Sequence, residues 1–262
     1  MQINFFKYQG TGNDFIILDN RTGLYNALGT AQIRRLCDRR FGIGADGLML
    51  LNEQEGYDFA MKYYNADGRE GSMCGNGGRC LVKFAFDGGL ARSTYRFIAI
   101  DGEHEAEIDA QSQVRLKMQD VAAITPANDD AVLDTGSPHY VKTVTNLAAY
   151  DVYNKGRDIR NSNRFQPAGI NVNFVEQQDA DAIIVRTFER GVEDETLSCG
   201  TGVTAAALVN YHNDIGFNQV RVGTRGGKLR VEFDRREDGS FTNIWLCGPA
   251  EKVFQGTISL PE

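Results

Sequence analysis

Met73-Cys74-Gly75-Asn76-Gly77-Gly78-Arg79-Cys80-Leu81-Val82-Lys83-Phe84-Ala85-Phe86-Asp87 has a counterpart in Ser198-Cys199-Gly200-Thr201-Gly202-Val203-Thr204-Ala205-Ala206-Ala207-Leu208-Val209. In each stretch a cysteine precedes a Gly-X-Gly turn that runs into an apolar segment long enough to be a buried helix. A helix N-terminus presents unpaired N–H groups and the positive end of the backbone dipole, which favours the thiolate of a cysteine placed there. Glycines cost helix stability, and their presence makes sense if a ligand must approach the backbone closely. One cysteine of this kind could simply pack at a helix start. Two, at matching points of the chain, predict thiols that act on one substrate.

Working outward from the first cysteine, Gly78–Asp87 is apolar around most of its circumference, so this helix must be surrounded by protein. Before it, Ile3–Tyr8, Phe15–Asp19, Gly47–Leu51 and Tyr57–Tyr64 read as strands, and Thr30 caps a helix running to about Phe41. After it, Tyr95–Ile100, Glu103–Ile108 and Val114–Met118 alternate like antiparallel strands. Thr125-Pro126-Ala127-Asn128-Asp129-Asp130 interrupts the pattern. The order then recurs: strands at Ile170–Val175 and Ala182–Phe188, a turn, Cys199, and a buried helix at Gly202–Tyr211. Strands at Val220–Val222, Lys228–Asp234 and Thr242–Cys247 follow. The expected fold class is α+β, with two similar β-rich domains each wrapped around one buried helix.

Composition narrows the function. The chain has 262 residues, 42% hydrophobic and 24% charged, with a net charge of -7. An acidic surface argues against nucleic acid as a partner. No apolar run approaches a membrane span, and Met1–Lys7 lacks a targeting pattern, so a cytoplasmic protein with no membrane partner is expected. The five cysteines are an odd number without a C-x-x-C pair, which favours reduced thiols. Cys37, Cys80 and Cys247 sit in apolar patterns and read as core residues. Gly42-Ile43-Gly44-Ala45-Asp46-Gly47 fits G-x-G-x-x-G, but a helix precedes it and a strand follows. That inverts the dinucleotide-binding context, so it reads as a tight turn. The three histidines lack metal-ligand spacing, so no metal is expected. His139, in Gly136-Ser137-Pro138-His139, is the one in a turn-rich setting, where a structural and a supporting active-site role are evenly balanced.

A thiolate and a thiol on opposite faces of one carbon can remove a proton from one side and return another to the opposite side, which inverts a stereocentre without a cofactor. At this point the chain resembles the diaminopimelate epimerase family nearly end to end. The resemblance rests on Phe6-Lys7-Tyr8-Gln9-Gly10-Thr11-Gly12-Asn13-Asp14-Phe15, on Asn65-Ala66-Asp67-Gly68 through Cys80, and on Glu189-Arg190-Gly191 with Ser198-Cys199-Gly200-Thr201-Gly202. It implies Cys74 and Cys199 as the acid/base pair, Cys74 acting on the LL isomer and Cys199 on the meso isomer. It implies Asn13, Asn65, Asn76, Asn171, Glu189 and Arg190 as readers of the substrate's amino and carboxylate groups. Gly75, Gly200 and Thr201 would offer backbone N–H groups to the reacting carboxylate, and Ser137 and His139 would support the site. The family fold further implies a first domain of residues 1–120 plus a C-terminal strand at about 250–262, containing Thr257–Leu260. The second domain would span 121–249, with the site in the cleft between the two. The substrate would be a small amino acid, with no cofactor, and a homodimer is left open.

Two departures from the family pattern lie near the expected site. Ser137 stands where the family has asparagine, and Val192-Glu193-Asp194-Glu195-Thr196 makes the second loop one residue longer and removes a glycine. Two other readings stay open. One is a proline or hydroxyproline racemase, disfavoured by Asn76 where that family has histidine. The other is a non-catalytic thiol-redox or binding protein on the same fold.

Overall fold

Both cysteine-led apolar runs are helices, and strands wrap each of them in an α+β arrangement. The computed structural model describes residues 1–212 and 214–260. The chain divides into two compact units, Met1–Leu116 with Pro249–Glu262, and Lys117–Gly248.

In the first unit, β1 (Gln2–Gly10), β2 (Asn13–Asp19), β3 (Gly47–Asn52) and β4 (Phe59–Asn65) lie side by side, with β2 and β3 parallel and the other neighbours antiparallel. A short β5 (Glu70–Gly71) pairs with β4 just before Cys74. Beyond β4 come β6 (Thr94–Ala99), β7 (Gly102–Ile108) and β8 (Gln113–Lys117). The last strand, β18 (Glu251–Ser259), pairs antiparallel with β1. Strand alternation divides the apolar residues between two helices. Ile16, Leu18, Leu48 and Leu50 cluster with Ile33 and Leu36 of α1 (Thr30–Cys37). Phe15 and Met49 instead meet Gly77 of α2 (Gly75–Asp87). β2 and β3 are therefore buried on both faces and read as continuous apolar runs.

The second unit repeats this plan. Its strands β10 (Asp130–Asp134), β11 (Pro138–Thr143), β12 (Asn171–Asp179), β13 (Ala182–Glu189), β15 (Gly216–Thr224), β16 (Gly227–Arg235) and β17 (Phe241–Pro249) follow the pairing sequence of β1, β2, β3, β4, β6, β7 and β8. Successive pairs are antiparallel, parallel, antiparallel, parallel, antiparallel, antiparallel. The short β14 (Asp194–Thr196) pairs with β13 as β5 does with β4. Val172, Phe174 and Phe188 pack with Val152 of α3 (Val152–Arg160). The opposite face of β12 turns toward α4 (Gly200–Val209), where Gly202 meets Asn173.

Several boundaries differ from expectation. α1 is capped by Gly29 and stops at Cys37, because Asp38 Oδ1 takes the N–H groups of Arg40 and Phe41 and turns the chain out of the helix. α2 and α4 start directly after their cysteines, three and two residues earlier than read, and α4 stops at Val209 rather than Tyr211. Thr125–Asp130, read as an interruption, contains β9 (Thr125–Ala127), which forms a hairpin with β10 through Asn128 at φ 61°. No helix among the described residues is long and apolar enough to cross a membrane.

Candidate active site

Cys74 is the residue immediately before α2, in extended conformation, and its Sγ accepts the N–H of Gly77 at 3.3 Å. The other first-turn N–H groups have no acceptor within the helix, so they are suited to an anion. Sγ also lies 3.7 Å from Asn13 Oδ1, to which its S–H can donate. Asn13 comes from the start of β2 and is held there by Nδ2 donating to Asp46 Oδ2 at 2.6 Å. Asn76 Nδ2 donates to the same Asn13 oxygen at 3.3 Å. Its own Oδ1 accepts from Arg79 Nη2 at 3.0 Å.

Arg79 is completely buried and ties this helix start together, donating also to Gly75 O and Thr11 Oγ1. Arg39 bridges Asp14 and Asp46, and Lys7 pairs with Asp14 at 2.7 Å. Burial pushes the Asp14 carboxyl up, but hydrogen bonds from Arg39 and Lys7 outweigh it and hold the group well below the usual range. Asn65 is exposed at the end of β4. The Gly42–Gly47 turn thus has a role the sequence did not suggest: it delivers Asp46 to orient Asn13.

Cys199 likewise precedes α4 in extended conformation and is buried, with Sγ 3.5 Å from Thr201 Oγ1. Thr201 Oγ1 lies 2.9 Å from His139 Nε2, and His139 Nδ1 lies 3.0 Å from Asn173 Nδ2. His139 is held down to about 3, first by burial and then by the charge of Arg190, so it is neutral at physiological pH. Asn171 Nδ2 donates to Ser137 Oγ at 2.8 Å and to Pro138 O, while its Oδ1 accepts the N–H of Arg190 at 2.9 Å. Much of the Asn171 side chain therefore ties Ser137 to the Arg190 turn, with the shorter serine acting as acceptor. In the lengthened loop, Glu193 adopts φ 60°, accepts the N–H of Gly191, and pairs with Arg160 of α3 at 2.9 Å. Glu189 is half-buried at the end of β13.

Register places these residues at corresponding points of the two repeats. Phe15 faces Gly47 across β2 and β3, and His139 faces Asn171 across β11 and β12. Asn65 closes β4 as Glu189 closes β13. The first unit thus gathers Asn13, Cys74, Gly75 and Asn76, and the second gathers Ser137, His139, Asn171, Arg190, Cys199 and Thr201. Arg79, Asp46, Asn173 and the Thr201 hydroxyl went unrecognised from sequence. For Asn173 a signal was present, since it lies two residues after Asn171 and so shares its strand face.

The remaining thiols behave differently. Burial pushes Cys37 up to about 12 and Cys80 higher still, so both stay protonated. Two of the glycines in these first turns have a packing reason. A Cβ on Gly202 would come within 2.3 Å of Asn173 Oδ1, and one on Gly78 within 3.0 Å of Leu116 and Met73.

Similarity to known proteins follows the same repeat. The family profile for diaminopimelate epimerase matches residues 5–124 and 131–253. A diaminopimelate epimerase of Flavobacterium psychrophilum is 49% identical over 98% of this chain and 100% of its own length. One from Chlorobaculum tepidum is 46% identical over 96% of this chain and 99% of its own. Among solved structures, a phenazine biosynthesis protein of the PhzF family from Bacillus anthracis shares the fold with a TM-score of 0.75 at 16% identity, covering 99% of this chain and 100% of that one. A probable proline racemase from Agrobacterium radiobacter does so at 0.71 and 16%, covering 99% and 93%. With two matched segments and near end-to-end identity of this level, the chain belongs to the diaminopimelate epimerase family.

Proposed function

We propose that this protein interconverts LL- and meso-2,6-diaminopimelate by two-base epimerisation, with Cys74 and Cys199 as the thiolate/thiol pair and no cofactor. The observation that carries the reading is the duplicated cysteine at the start of a buried, glycine-opened helix, one in each repeat. In the LL direction the Cys74 thiolate takes the α-proton, and the electron pair left on carbon delocalises into the carboxylate. The Cys199 thiol then delivers its proton to the opposite face. The meso isomer reacts in reverse, with Cys199 as base. N–H groups of Gly75, Gly200 and Thr201 stabilise the charge that grows on the carboxylate in the transition state. Asn13, Asn65, Asn76, Asn171, Glu189 and Arg190 bind the amino and carboxylate groups. The reaction supplies meso-diaminopimelate for lysine and cell-wall synthesis in the cytoplasm.

Incubating the pure protein in D2O with one diaminopimelate stereoisomer tests this. Deuterium entering at the α-carbon with inversion supports the epimerase. Inert diaminopimelate with exchanging proline would instead establish a proline racemase, and inertness of both would leave a thiol protein without this activity.

A further inference from the structure

Asn173 is buried on β12, and its neighbours permit only one orientation of its amide. One terminal atom lies 3.1 Å from Tyr140 O, which can only accept, and the other lies 2.9 Å from Thr187 Oγ1. The NH2 group must therefore face Tyr140 O, with Oδ1 accepting from Thr187. The second hydrogen of the same Nδ2 goes to His139 Nδ1, 3.0 Å away, which makes Nδ1 an acceptor. A neutral imidazole that accepts at Nδ1 carries its proton on Nε2. Nε2–H then donates to Thr201 Oγ1 at 2.9 Å, and the Thr201 proton is left for Cys199 Sγ at 3.5 Å.

We propose that Asn173 is a positioning residue for Cys199: its amide sets the His139 tautomer, which turns the Thr201 hydroxyl proton toward the Cys199 sulfur and stabilises that sulfur as thiolate. The inference rests on the assignment of Cys199 as an acid/base residue. An independent observation agrees: α4 lies so close to this pair at Gly202 that a Cβ there would meet Asn173 Oδ1 at 2.3 Å and His139 Cε1 at 3.3 Å. The neutrality of His139 is secured by burial and by Arg190. Of the charged groups on the strands packed against α4, Asp130 pairs with Lys142, Arg186 with Glu195 and Glu232 with Arg230, while Glu189 stands half-buried at the end of β13.

The test uses the full chain with Cys74→Ala, which removes coupling between the two thiols. Nitrogen-15 NMR of labelled histidine reads the tautomer, and the pH profile of Cys199 alkylation by iodoacetamide, followed by peptide mass spectrometry, reads the thiol. His139 is expected as the Nε2-protonated tautomer. Thr201→Val should raise the alkylation midpoint and lower reactivity at neutral pH by about tenfold, the size of one lost hydrogen bond to a charged group. Thr201→Ser should restore the profile. Asn173→Asp should move the His139 proton to Nδ1 and raise the midpoint as well. If Asn173→Asp does not fold, the tautomer of the unsubstituted site and the Thr201→Val profile still decide. An Nδ1-protonated His139, or a Cys199 profile unmoved by Thr201→Val, overturns the proposal. Neither readout needs turnover. A protein inert toward diaminopimelate yet with this tautomer and profile would sink the functional reading alone, and an active epimerase with the opposite tautomer would sink the positioning role alone.

Discussion

Cys74 and Cys199 share a backbone setting and differ in what touches the sulfur. Cys74 receives a helix N–H and faces the Asn13 carbonyl, whereas Cys199 faces a hydroxyl. Each serves one face of the carbon in the proposed reaction, so neither can substitute for the other. Cys74→Ala and Cys199→Ala should each lower epimerisation in both directions by at least about 10²–10⁴-fold, the usual contribution of a positioned acid or base. Steady-state assays with each stereoisomer check this, and near-normal turnover in either variant would refute the two-base mechanism. The cysteines can be singled out from a few adjacent residues, and Asn13 and Asn76 from the family motifs that contain them. The roles of Asn173 and Arg79 were not legible. Asn173 acquires its role from His139, 34 positions away, and Arg79 from Thr11, 68 positions away. Only the strand order brings those partners together.

At the scale of elements, the two central helices were readable because they are buried nearly all round. α3 was not, since only Val152 and Gly156 of its nine residues are buried, leaving no apolar stripe to detect. The glycines of the helix starts were attributed to ligand approach, and the structure supplies a further cause, close packing of α4 on β12. Gly202→Ala should therefore destabilise the protein by about 1–3 kcal/mol through overpacking. Denaturant unfolding measures this, and unchanged stability would mean that Asn173 can move aside. The lengthened loop after β13 was recognised as a departure, but its anchoring was not. The Arg160–Glu193 pair joins residues from separate elements, and nothing local to Glu193 announces it.

For the whole molecule, the buried His139 and the half-buried Asp14 make stability depend on pH in the same direction. His139 titrates near 3 in the fold against an ordinary 6.5, and Asp14 lies below its ordinary 3.8. Each binds fewer protons folded than unfolded, so its stabilisation is present above the ordinary value and is lost as pH falls. The thermal midpoint should decline as pH drops from 6.5 toward 3, and His139→Gln should flatten that decline. Melting curves across this window provide the measurement. A parallel decline in the variant would assign the acid sensitivity to other groups.

The pairing of β1 with β18 has a consequence for how the chain is made. Residues 117–248 of the second unit are contiguous, so that unit is made in one uninterrupted run. The first unit begins to emerge earlier, yet its β1 edge stays uncovered until residues 251–259 have been synthesised. The half that carries Cys74 is translated first and completed last, and during that interval an unpaired strand edge depends on chaperones or speed to avoid joining a neighbour.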